Sequence, residues 1–188
     1  MQGKTQEAFT MLDEVKRISP INAYEVQQRA EAYYVDGKYD EAINVYKEGL
    51  LTFPHVYALY DGLGRVYVFK GKYLDAINSL NEGLSHSTLR PPSTLAYLAI
   101  AHYKTGDTKK SNELILELNE RAARGEKGIN IFIAIYYSAI NSKEQAFNYL
   151  DRAFNTNDVD LIWLKVEPSF KNLHADPRYN SYLNRIGF

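Results

Sequence analysis

Small residues recur along the chain with a fixed period, and bulky apolar residues keep a constant offset from them. Gly3, Gly37, Gly71, Gly106 and Asn141 are spaced 34, 34, 35 and 35 residues apart. Five residues after each stands a small residue: Ala8, Ala42, Ala76, Ser111 or Ala146. Four further on comes a bulky one: Leu12, Tyr46, Leu80, Ile115 or Leu150. The preceding stretch holds a second small residue, Ala30, Gly64, Ala99 or Ala134, followed three later by Tyr33, Tyr67, His102 or Tyr137. Spacings of three and four share one helical face. Each period therefore predicts two helices, A and B, crossing at the small residues, where larger side chains would force the axes apart. Glycine tolerates positive φ and reverses the chain between helices, and asparagine is the next most tolerant. Pro20 and Pro54 end the first two B helices. Thr88 and Asp158 hold the matching place later, and Pro91–Pro92 restarts the third repeat.

These offsets predict a half repeat over 3–20, a B helix without its A helix. Four full pairs follow over 23–56, 57–90, 92–125 and 127–158, and a cap of the same domain over 159–188. In the cap, Trp163, Val166, Phe170 and Leu173, then Tyr179, Leu183 and Ile186, predict two short helices interrupted at Pro168 and Pro177. The half-repeat start leaves Ala8, Leu12 and Val15 uncovered, apolar area worth roughly 25 cal/mol per Å² if buried. The expectation is a C-terminal piece of a longer protein, the alternative a degenerate start whose helix packs alone or, as a homodimer through this N-terminal face, against a second copy.

Leu63, Gly64 and Tyr67, with Gly71, Tyr73 and Ala76, resemble the tetratricopeptide-repeat (TPR) family. The resemblance implies an all-α, right-handed solenoid of antiparallel helix pairs that binds a protein or peptide and catalyses nothing. It runs through nearly the whole chain, with departures at Arg29, Thr108 and Ser111. The tail residues Trp163, Leu164, Pro168, Phe170, Leu173, Asp176, Pro177, Arg178 and Tyr179 resemble the ends of TPR regions appended to bacterial signalling proteins. Those include winged-helix activators, adenylate cyclases and kinases, so a signalling or regulatory tail is implied.

Charge and composition narrow the classes. Lys+Arg number 22 against Asp+Glu 23, which argues against a phosphate-tracking surface and a nucleic-acid partner. The absence of cysteine removes thiolate chemistry and suits a reducing, cytoplasmic compartment. The longest apolar run, Ile129 to Ile140, is broken by Asn130 and Ser138 and is too short for a membrane span. Sixteen tyrosines bury rings while keeping hydroxyls near water, as thin architectures require. No G-x-S-x-G elbow, P-loop or G-x-G-x-x-G is present. Gly62–Leu63–Gly64 lies inside a predicted helix, where Gly64 serves helix crossing. His55, His86, His102 and His174 lack metal-ligand spacing, so no cofactor or metal is expected.

The solenoid implied by the family has an inner wall of A helices. Counting the second, fifth, ninth, twelfth and thirteenth residues of each repeat places Tyr24, Gln27, Glu31, Tyr34, Asp61, Arg65, Phe69, Ile100, Tyr103 and Lys104 on it. The same count places Gly128, Ile131, Ile135 and Ser138 in the last repeat. Exposed Tyr, Phe and Arg have the composition of binding hot spots, so a peptide or helix is expected at Tyr34, Arg65, Phe69 and Tyr103. The competing expectation is a cap folded over Ile131 and Ile135. Gln27 and Glu31 stand where the carboxylate-gripping members of the family carry Lys and Asn, which argues against a chaperone clamp. Glu31 and Asp61 are the only acid–base candidates on the wall.

Overall fold

A computed structural model describes Met11 and residues 22–187. Apart from Met11, the half repeat 3–20 and the self-association face built on it lie outside the described residues. Eight α-helices follow as four antiparallel pairs: α1 (Ala23–Val35) with α2 (Tyr39–Thr52), α3 (Tyr57–Phe69) with α4 (Tyr73–Ser85), α5 (Pro92–Lys104) with α6 (Thr108–Ala123), and α7 (Asn130–Ala139) with α8 (Lys143–Asn155). Each A helix ends in the same left-handed turn. Gly37, Gly71, Gly106 and Asn141 have φ of 75°, 74°, 88° and 63°. The next amide reaches back over the turn, Lys38 to Tyr33, Lys72 to Tyr67, Asp107 to His102 and Ser142 to Tyr137, at 2.8–2.9 Å. That bond satisfies carbonyls the helix leaves open.

The small residues sit at the crossings as expected. Ala30, Ala99, Ala134, Ala42, Ala76, Ser111 and Ala146 are fully buried. A Cβ on Gly64 would lie 2.4 Å from Leu80 Cγ, so helix crossing accounts for this glycine. Ser111, at an alanine position, donates its hydroxyl to the Ala99 carbonyl (2.8 Å) and meets the Tyr136 hydroxyl at 3.0 Å. Ser111→Ala would match the alanine of the other repeats yet strand a buried phenol. A loss of about 1–2 kcal/mol is expected, read from the urea midpoint at unchanged m-value.

The chain divides into two compact units, Met1–Arg90 and Pro91–Phe188. In the second, the fourth A helix starts at Asn130, three residues later than predicted. Gly125 and Gly128 both have positive φ, so Gly128 lies in a loop and takes no inner helical position. Asp158 closes that helix start, accepting from Gly128 N (3.1 Å) and Ile131 N (3.3 Å) and from Thr156 Oγ1 (2.6 Å). A carboxylate facing free helical N–H groups satisfies donors that have no partner within the helix.

The cap differs from expectation. Residues Val159–Lys165 and Pro168–Leu173 form two 3-10 helices, and only Pro177–Ile186 is an α-helix, α9. The prolines open elements instead of interrupting them, since the first turn needs no N–H from proline. Leu164, Phe170, Leu173 and Tyr179 are the buried members of the tail motif, while Trp163 and Val166 are half-exposed. Asp176 caps α9 through Arg178 N (3.0 Å), and the Arg178 guanidinium bridges Asp176 and Glu144 while lying 3.9 Å over the Phe147 ring. The Arg178 guanidinium, then its backbone N–H, hold the Asp176 carboxyl at about 2. A depressed carboxyl stabilises above its unfolded value and ceases to as pH falls through the folded one. The α9 cap should therefore persist well below pH 4, with an NMR carboxyl midpoint for Asp176 near 2.

Candidate protein-interaction face

In the first unit, α1 and α3 carry seven of the ten predicted residues. Arg65 binds Glu31 and lies 4.5 Å over the Tyr34 ring. Tyr34 packs on Phe69 (5.6 Å) and Tyr39 (6.0 Å), and Tyr39 stacks on Phe69 at 6.2 Å. The Glu31 oxygen that takes Arg65 also accepts the Tyr46 hydroxyl at 3.0 Å. Glu31 Oε2 and Arg65 Nε are buried without a hydrogen-bond partner. Burial first, and the Asp61 charge second, push the Tyr46 hydroxyl far above its ordinary value. The structure thus joins Glu31, Tyr34, Arg65 and Phe69 in one cluster. Tyr34 is buried, Gln27 and Asp61 are half-buried, and Tyr24 is 68% exposed.

In the second unit, Ile100 is buried, whereas Tyr103 and Lys104 are exposed. The tail lies against the A helices of this unit. Ser138 donates to the Ser169 carbonyl at 2.6 Å, and Asn172 Nδ2 returns a bond to the Ser138 carbonyl at 2.9 Å. Glu167 accepts the Tyr97 hydroxyl (3.0 Å) on one oxygen and the Ser169 N–H (3.2 Å) and hydroxyl (2.8 Å) on the other. Ile131 and Ile135 are buried, and the second 3-10 helix packs on α7.

The succession of helix pairs matches solved helical-repeat proteins. MamA matches with a TM-score of 0.56 and 17% identity over 85% of this chain and 92% of its own. The nearly identical TPR-like repeats described as a kinesin light chain from Podosopora anserina match at 0.57, with 22% identity over 82% of this chain and 87% of theirs. A tetratricopeptide-repeat protein from Parabacteroides merdae matches at 0.54, with 16% identity over 98% of this chain and 73% of its own. The chain has the tetratricopeptide-repeat fold. No protein-family model and no curated protein matches it.

Within this TPR fold, the sequence spacing marks Tyr46 only as a bulky residue beside a helix crossing and gives Tyr39 no role. The visible signal for Tyr39 was its place two residues after Gly37, where Tyr73 follows Gly71. For Tyr46 no local signal exists, because its partner Glu31 lies on another helix. The histidines take packing places: His86 meets His55 at 5.1 Å and Tyr60 at 5.4 Å, and His102 Nδ1 lies 3.2 Å from Asp107. Among the described residues, no helix is long and apolar enough to cross a membrane.

Proposed function

We propose that the chain is a non-catalytic protein–protein interaction scaffold, built as the tail of a larger bacterial signalling or regulatory protein. Its ligand is a peptide or helix on the A-helix face of the first unit. The contrast between the units supports this reading. The tail fills the A-helix face of the second around Ser138 and Tyr97. That of the first keeps Tyr24 68% and Val35 39% exposed on α1, the helix that also carries Glu31 and Tyr34. An exposed tyrosine gives contact area at small entropic cost. Tyr103 and Lys104 are the corresponding exposed residues in the second unit.

The test is a displayed peptide library selected on the chain, with hits remeasured calorimetrically against Tyr24→Ala and Tyr103→Ala. These exposed residues can be changed without disturbing the Glu31–Arg65 pair. A selected peptide that loses about tenfold or more in affinity with Tyr24→Ala supports the reading. Equal binding to both variants and the parent chain places the ligand elsewhere.

A further inference from the structure

Glycine makes the turn after α1, α3 and α5, and Asn141 makes it after α7. A Cβ on Gly37, Gly71 or Gly106 would meet nothing within 4 Å, so those turns face open space. Glycine takes a positive φ without steric cost, and asparagine adopts it less freely. At φ 63° Asn141 keeps a side chain where its counterparts have none, and that side chain has a partner. Its Oδ1 accepts Asn172 Nδ2 at 3.1 Å. The same Nδ2 donates to the Ser138 carbonyl at 2.9 Å, and Asn172 Oδ1 lies 2.6 Å from the Ser138 hydroxyl. That hydroxyl also meets the Ser169 carbonyl at 2.6 Å. The second 3-10 helix thus grips the end of α7 through polar bonds. Phe170 and Leu173 are fully buried beneath, whereas Asn172 is half-buried and Asn141 exposed, which puts these bonds at the rim.

We propose that Asn141 is a positioning residue that latches the tail onto the A-helix face of the second unit, through Asn172 and Ser138. The fourth turn departs from glycine because, unlike the other three, it has a segment to hold. The tail is a strap over that face, and its closure is set at the rim by Asn141. Lifting Pro168–Leu173 off α7 breaks this latch and uncovers Ser138. The plain alternative is asparagine as the next-best residue for a positive φ, and it predicts the opposite result on return to glycine. The latch stands whether or not the first unit binds a peptide.

The measurement is amide hydrogen exchange by NMR on the full chain. It is read at Phe170, His174 and Asp176, whose N–H groups bond the Glu167, Lys171 and Leu173 carbonyls, with the amides of α5 as internal reference. In the parent chain the three tail amides are expected to exchange faster than those of α5, as a segment that opens by itself does. Asn141→Gly should speed them about fivefold, the worth of one net hydrogen bond, and leave α5 unchanged. Asn141→Asp keeps an acceptor and tolerates the turn, so its rates should stay near the parent's. Asn172→Ala should speed the tail at least as much as Asn141→Gly, and combining the two should add nothing further. Tail amides that exchange only together with α5 overturn the strap. Tail rates unchanged or slowed in Asn141→Gly overturn the latch, as does an Asn141→Asp variant as fast as Asn141→Gly. Effects of Asn141→Gly and Asn172→Ala that simply add overturn it too. Glycine already makes the other three turns, so Asn141→Gly keeps the fold and its rates decide the matter.

Discussion

Arg65→Ala is expected to lower the stability of the first unit by about 3 kcal/mol, the lower end of what removing one partner of a buried ion pair costs. The Arg65 and Glu31 side chains are only 15% and 14% exposed. Losing the guanidinium leaves a carboxylate with one donor, the Tyr46 hydroxyl, and takes the covering cation off the Tyr34 ring. The effect reads as an earlier urea midpoint for amide signals of α1 and α3. Replacing both partners, Glu31→Leu with Arg65→Met, should recover most of the loss, because burying two apolar chains avoids the desolvation cost of the pair. A double variant as unstable as Arg65→Ala would mean that packing of the arginine stem, and not charge, sets the cost.

Gly62→Ala is the second large effect, and it runs against helix propensity. Alanine should favour α3 by about 1 kcal/mol over glycine. Its Cβ, however, would lie 2.2 Å from the Tyr46 hydroxyl oxygen and 2.3 Å from Cζ. The ring is fully buried and cannot swing aside, so overpacking of about 1–3 kcal/mol adds to loss of the Tyr46–Glu31 hydrogen bond. A net loss of about 2 kcal/mol is expected in thermal or urea unfolding. Gly62→Ala combined with Tyr46→Leu should regain much of it, since the shorter side chain vacates the collision. A stable single variant would show that the ring has room the geometry denies it.

These two cases also mark where local reading ends. The turns at Gly37, Gly71, Gly106 and Asn141 and the small residues at the crossings were legible in the sequence. Positive φ and close helix approach each demand a residue type at one position, whatever surrounds it. The four helix pairs and the all-α class follow from those demands repeated in register. The tail motif was legible too, but its secondary structure was not. Trp163, Val166, Phe170 and Leu173 recur at near-helical spacing, yet the chain forms 3-10 turns because Leu164, Phe170 and Leu173 are the side chains that find the core. Gly128 was counted as an inner position and fell into a loop, where Gly125 beside it prolonged the turn.

What tertiary structure alone decided is how side chains pair between repeats. Glu31 and Arg65 were each placed on the inner wall by counting, but nothing in their spacing says that they neutralise one another. Nor does it say that a buried tyrosine from a B helix reaches them past a glycine. The tail's occupation of the A-helix face around Ser138 and Tyr97 has the same character. A repeat writes its backbone locally, because each turn closes within a few residues and each crossing joins neighbouring helices. The chemistry of its faces depends on partners 15 to 70 residues apart, which only folding brings within hydrogen-bond reach.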